Sequence, residues 1–553
     1  MIETNLNGVI LLQYFTLFPE YFISICILYI LIVSVVLTYS VYGLSFQRAL
    51  SECIAIILLM TCYLIFNDDL ITLNEVVFHN AIITDYLAYS SKLLICFFSA
   101  LYFLLISNSL KEQKLVSFEY LLVILFSILG FMVMCSSNDL LTAYLSIELA
   151  SLSSYILASF KKTSIYSVES GLKYFITGAV SSSFFLLGSS LLYAFSGSIC
   201  FDDFLTLYES NQIDYMHRAL NPFIYVHSLQ DILNVDVRLL FIWLNPFWAT
   251  VSLPSNDLFF RQFDHSFIEV GYSFIMFSLF IKLAAAPFHL WSLDVYEGSP
   301  TSSSFFFAVI GKLSIFVLLV RISYINFHYA WDGASFYSIY VGIASVFVGS
   351  FGGLKQKRLK TLLAYSSITS MGYGLLGLGT MEHLGIQMLF FHLTIYMLSG
   401  LCTWSIFLLL RLKIKRSGDK YNKELSDLAL LRKSNPALAF ALSLTMFSVA
   451  GIPPLVGFLA KFGIFIGLVR ADHTFLALIS AVLSVVGTFY YIRVIKVIYF
   501  ENVLVGKLYH PISTSKTLII SILVLLQLYL FVNPSILYFW CYRVVPEGLF
   551  EYL

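Results

Sequence analysis

The chain has 553 residues, of which 59% are hydrophobic, 17% aromatic and only 12% charged, with a mean hydropathy of +0.86. Soluble domains carry roughly 25% charged residues, so a soluble enzyme, a coiled coil and a disordered chain are excluded. Lys+Arg and Asp+Glu both number 32, which leaves no net field for nucleic-acid phosphate. The class that remains is an all-α polytopic membrane protein.

Apolar runs of spanning length recur about fourteen times. In chain order they are expected near 21–43, 49–66, 87–107, 116–135, 138–160, 170–196, 267–291, 302–326, 337–354, 360–379, 384–410, 436–462, 474–500 and 517–540. The one long interruption, 197–266, holds Arg218, Arg238 and Arg261 among short apolar pieces broken by Asn-Pro, and reads as an insertion on the membrane surface. Loops after odd-numbered spans carry the basic residues, among them Lys161, Lys162, Lys355, Lys357, Arg358, Lys413 and Lys415. By the positive-inside rule they face the cytoplasm or matrix, both termini face the other side, and the insertion faces outward. The segment 292–300 (SLDVYEGSP) breaks the rule, being an acidic turn where a basic one is expected.

A charge at mid-membrane costs roughly 2.5–3.5 kcal/mol. Four residues stand out against that cost: Glu148 on span 5, Lys282 on span 7, Lys312 on span 8 and Lys461 on span 12. The competing explanation is a long side chain reaching back to the interface. Ala286-Pro287 follows Lys282 and Pro453-Pro454 precedes Lys461. Proline frees a backbone carbonyl, which lipid tolerates only where protein or water re-satisfies it. Broken helices beside buried charges mark an ion path at a repeat interface. The broken spans are five apart in order, as two inverted five-helix repeats, spans 4–8 and 9–13, would require.

His289 lies seven residues after Lys282, a spacing that shares a helix face, and His392 sits mid-span in LFFHLTIYMLSG. Either is a candidate proton relay or a buried neutral histidine, since Glu, Lys and His all change charge without covalent chemistry. Eight cysteines are scattered singly and read as small buried hydrophobes. No metal-ligand spacing, paired nucleophile or phosphate loop is apparent. No signal or transit segment is expected. Fifty-two Phe and thirty-six Tyr, with AT-rich codons, point to an organelle genome.

The stretches LFPEYF (17–22), NDLLTAYLSIELASLSSYILA (138–158), ESGLKYFITGAVSSSFFLLG (169–188), IKLAAAPFHLWSLDVYEGSPT (281–301), GKLSIF (311–316), KRLKTLLAYSSITSMGYGLLGL (357–378) and TMFSVAGIPPLVGFLAKFGIF (445–465) together resemble the antiporter-like proton-translocating subunits of respiratory complex I. The lysine on span 12, the length and the lack of a long lateral helix fit the chain 2 branch best. The resemblance implies fourteen helices with two inverted repeats and divides the chain into 1–115, 116–326, 327–500 and 501–553. It also implies that Glu148 and Lys282 form a switchable ion pair, that Lys312 relays protons and that Lys461 passes them to the far half-channel. The flavin, iron–sulfur clusters and ubiquinone would reside on other subunits, with no cofactor or metal on this chain. The implied partners are other membrane-arm subunits and the bilayer, cardiolipin included, in the inner mitochondrial membrane. Two features depart from the family: Ser370 stands where relatives often have histidine, with His392 a substitute, and the insertion is unusual. A stand-alone cation/proton antiporter and a silent structural subunit are the competing readings.

Overall fold

The computed structural model describes residues 17–38, 43–68, 75–113, 115, 117–204, 256–326, 333–412, 420–421, 424–429, 431–501 and 512–545. Most of the expected insertion, 205–255, lies outside the described residues. Helices dominate. The first six are α1 (Phe18–Thr38), α2 (Gly43–Asp68), α3 (Tyr86–Ile106), α4 (Phe118–Ser136), α5 (Leu140–Ser159) and α6 (Ile165–Ser196). They are followed by α7 (Asn256–Leu283), α8 (Leu290–Gly298), α9 (Thr301–Val309), α10 (Gly311–Val320), α11 (Gly333–Gly353) and α12 (Leu359–Gly379). The last six are α13 (His383–Leu409), α14 (Pro436–Ala450), α15 (Val456–Arg470), α16 (Thr474–Phe500), α17 (Thr514–Val532) and α18 (Ser535–Val544).

Eleven of the described helices are long and apolar enough to cross a membrane. The other expected spans are explained by their chemistry. Spans 7 and 12 are each broken into two helices, α7–α8 and α14–α15. Helix α12 is rich in Ser, Thr and Gly because it is buried along nearly its whole length, so its polar side chains face protein rather than lipid. The spanning helices start on ordinary caps: Asp85 accepts from the Ala88 amide, Asp139 from Thr142, Ser164 from Ser167, and Asn435 from Leu438 ahead of Pro436.

Two groups of helices run from α4 to α10 and from α11 to α16. Each opens with a helix pair in close approach through small residues, Gly130 against Ala150 in the first and Gly342 against Gly372 in the second. Exposed apolar stripes lie outside, such as Leu141, Leu145, Leu152 and Ile156 on α5 and Leu478, Val482 and Val485 on α16.

Two boundaries differ from expectation. Span 7 begins at Asn256, inside the expected insertion, and continues through α8 to Gly298. Most of the acidic segment expected as a turn is therefore helix. Its acids are neutralised by neighbouring elements: Asp294 pairs with Lys173 at 2.7 Å, Glu297 pairs with Arg358, and the Lys360 ammonium donates to the Ser299 carbonyl at 2.7 Å. The acidic exception ties α8 to the basic start of α12.

Candidate functional site

The breaks in α7–α8 and α14–α15 place charge beside freed backbone. In the first, the Ala286 amide donates to Ser345 Oγ of α11 at 2.8 Å, and the Trp291 indole donates to the Ile281 carbonyl at 3.0 Å. In the second, the freed Ala450 carbonyl accepts from the Lys461 ammonium itself at 2.8 Å. In the second break, the side chain that re-satisfies the backbone is thus the buried lysine itself.

Lys282, at the end of α7, donates to the Tyr155 hydroxyl at 3.1 Å, with the ammonium 5.7 Å from that ring's centroid. Glu148 acts electrostatically on both Lys282 and Tyr155, yet Glu148 and Lys282 make no ion-pair contact. Between them on α5 lies Ser151, whose hydroxyl is 3.5 Å from Glu148 Oε2 and interacts with Tyr155. Glu148 Oε1 is buried without a hydrogen-bond partner among the described residues.

From Tyr155 the row continues through rings. Tyr155 meets Tyr174 edge-on at 4.8 Å, and Tyr174 stacks on Trp291 at 4.8 Å. Lys312 on α10 is only 6% exposed, so it does not reach the interface. Its ammonium sits between two rings, 5.9 Å from the centroid of Tyr296 and 5.6 Å from that of Tyr396. Among the described residues it has no ion-pair partner. Tyr296 interacts with Ser367, and Tyr396 with Ser367 and Ser370, so both tyrosines connect Lys312 to α12.

Beyond Tyr396 lies a cavity of about 40 Å³ between α11, α12, α13, α14, α15 and α16, lined by Ser370, His392, Tyr396, Ser448, Lys461 and Tyr490 among others. That volume holds a few waters. His392 Nε2 lies 3.1 Å from the Ser370 carbonyl, while its Nδ1 and the Ser448 hydroxyl are buried without partners among the described residues. Lys461 closes the cavity, 5.4 Å from the Tyr373 ring centroid.

The structure therefore places Lys282, Lys312, Lys461 and His392 along one row, with Glu148 at its edge. His289 is different. The helix ends at Leu283 and restarts at Leu290, so seven-residue spacing does not put His289 and Lys282 on one helix face. The connecting tyrosines, 155, 174, 296, 373 and 396, carried no sequence signal, because each is one of many in a Tyr-rich chain. Two buried ion pairs also escaped notice: Lys92 with Glu20 at 2.5 Å, and Arg321 with Asp85 at 3.0 Å. Glu20 belongs to the LFPEYF stretch, the one available clue.

A helical membrane protein with two broken spans and a buried row of lysines, phenols and hydroxyls is built to move ions. Comparison with known proteins gives the particular family. The family described as "NADH:quinone oxidoreductase/Mrp antiporter, TM" matches residues 137–229 and 235–487. NADH-quinone oxidoreductase subunit N of Pelagibacter ubique is 35% identical over 88% of this chain and 89% of its own length. NADH-ubiquinone oxidoreductase chain 2 of Marchantia polymorpha is 34% identical over 95% and 97%. Among solved structures, a chain of respiratory complex I from Thermus thermophilus shares the fold, with a TM-score of 0.69 and 22% identity over 94% of this chain and 98% of that one. A chain of the Mrp complex from Dietzia sp. DQ12-45-1b does so with a TM-score of 0.70 and 16% identity over 97% of both. This protein belongs to the antiporter-like membrane-subunit family of NADH:quinone oxidoreductases, in the branch of subunit N and chain 2.

Proposed function

We propose that this chain is a proton-translocating membrane-arm subunit of an NADH:quinone oxidoreductase in the inner mitochondrial membrane, encoded by the organelle. Electron transfer from NADH to quinone takes place on other subunits. The observation that carries the reading is Lys312, a deeply buried ammonium between two phenols with no ion-pair partner among the described residues. Such a cation is costly unless its charge is used.

The geometry suggests how the row works. A tyrosine hydroxyl both donates and accepts, so Tyr155 can take a proton from Lys282 while giving one onward. The counter-charge of Glu148 holds the Lys282 proton. When Glu148 is neutralised or drawn away, that hold weakens and the proton passes through the Tyr155 hydroxyl toward Lys312. Tyr396 and the wet cavity then carry it to Lys461, with His392 as the intermediate base. Lipid contacts, cardiolipin included, cover the apolar outer stripes.

A second reading, a stand-alone cation/proton antiporter, draws on the shared fold of the Mrp chain. The lining of the cavity argues against it: lysine, imidazole and hydroxyls surround the void, with no carboxylate among the described lining residues to hold a metal cation. Native-gel separation of detergent-solubilised membranes, with an NADH-dehydrogenase stain and mass spectrometry of the stained band, decides the matter. The chain in a band with flavin and iron–sulfur subunits supports the proposal. The chain migrating without dehydrogenase activity supports the antiporter.

A further inference from the structure

A second set of buried charges lies apart from the row, among α1, α3, α4 and α10. Glu20, in the first turn of α1, faces Lys92 of α3 at 2.5 Å, with side chains 8% and 6% exposed. Beside them Asp85 pairs with Arg321 at 3.0 Å, and the Cys135 thiol of α4 lies in the field of Glu20, Lys92 and Arg321. Cys96 also lies in the field of Glu20.

The two pairs are built differently. Asp85 caps the Ala88 amide at 2.9 Å, and Arg321 also donates to the Cys135 carbonyl at 3.1 Å. A buried ion pair that stabilises a fold needs its remaining lone pairs and protons satisfied, and Asp85–Arg321 comes nearer to that condition, each member holding a second partner. Glu20–Lys92 does not. Glu20 Oε2 is buried with no donor, and Lys92 has no second partner among the described residues. Glu20 Oε2 can therefore take up a proton without giving up a hydrogen bond.

A polar lane leads toward it from the face that carries the basic loops, hydrogen-bonded as far as Tyr102. Gln113 donates to Thr301 Oγ1 at 2.6 Å and accepts from Ser302 Oγ at 2.9 Å, and Tyr120 donates to Ser302 Oγ at 2.8 Å. Tyr102 of α3 donates to the Ser302 carbonyl at 3.0 Å. Along α3, Tyr102, Ser99, Cys96 and Lys92 recur every three or four residues and share one buried face.

We propose that Glu20, held by Lys92, is a second proton-exchanging site, which loads and releases a proton through the N-terminal helices beside the main row. In the paired state Glu20 is a carboxylate and Lys92 an ammonium. An arriving proton gives Glu20 as the neutral acid and frees the Lys92 ammonium, and its departure restores the pair. This inference rests on the proton-translocating reading above.

The test uses the assembled complex in native membranes. Dicyclohexylcarbodiimide adds to protonated carboxyl groups in apolar surroundings, and peptide mass spectrometry locates the adduct. The expected result in the wild type is an adduct at Glu20 that increases during NADH oxidation and none at Asp85. The doubly neutral variant Glu20→Gln/Lys92→Met keeps the packing without an unpaired charge. It is expected to lose at least fivefold in coupled proton uptake while NADH oxidation with a hydrophilic acceptor stays unchanged, and Glu20→Asp is expected to restore part of that uptake. A merely structural pair would leave proton uptake unchanged in the assembled double variant. Absence of the Glu20 adduct in the wild type overturns the proposal whether or not the variant assembles, and so does full proton uptake in the assembled variant. Failure of the wild type to move protons would instead overturn the reading on which it rests.

Discussion

The Lys282 ammonium donates to the Tyr155 hydroxyl at 3.1 Å and not to Glu148, which lies seven residues earlier on the same helix as that tyrosine. Seven residues are about two helical turns, roughly 10 Å. The acid thus influences the lysine through its field, and the phenol makes the contact. In the proposed path Glu148 sets the charge balance, and Tyr155 supplies the first proton-carrying link.

Tyr155→Phe tests that division. The ring and its packing survive, but the ammonium loses its acceptor, at a cost of about 1–3 kcal/mol. Proton uptake by membrane vesicles should fall about tenfold at normal assembly, since about 1.4 kcal/mol is a factor of ten in rate. An unchanged rate would mean that Lys282 has another outlet.

His392 and Ser370 should be interchangeable in part. Both line the cavity beside Lys461, so His392→Ala should depress proton uptake, and adding Ser370→His should recover part of it. Recovery measured in vesicles, with the complex quantified on a native gel, supports His392 as the substitute base. A single variant with full activity would leave His392 as a buried structural imidazole.

Gly451 sits at φ +82°, and a Cβ there would lie 2.9 Å from Lys461 Cδ. Gly451→Ala therefore forces a residue into the left-handed region, at about 1–2 kcal/mol, and pushes Lys461 from the Ala450 carbonyl. The expected outcome is an assembled complex with lowered proton uptake. Gly457→Ala meets the Ser448 carbonyl instead, where backbone cannot yield, and should lower the amount of assembled complex.

The ion pair of Arg358 with Glu297 is exposed on the arginine side by 66%. Arg358→Gln should cost no more than about 1 kcal/mol of stability. The difference from wild type in thermal inactivation should shrink as salt rises, while proton uptake in low salt changes little.

Much of this was legible in the sequence because lipid makes charge conspicuous. Glu148, Lys282, Lys312 and Lys461 stand out in apolar runs, and the Pro287 and Pro453-Pro454 breaks stand out with them. Tyr155, Tyr296 and Tyr396 were invisible, since phenols are cheap in a membrane and this chain has 36 of them. Asp85 and Arg321 flank helix ends, where a charge ordinarily meets water. Only the packing of α3 against α10 shows that they are buried together. His289 failed for the opposite reason: a spacing rule for continuous helices was applied across a break.

Proton uptake coupled to NADH oxidation in vesicles carrying Lys312→Met asks whether the buried ammonium serves transport. The complex is expected to assemble, with proton uptake and quinone-linked NADH oxidation falling together while oxidation with a hydrophilic acceptor persists. Wild-type proton uptake in that variant would contradict it.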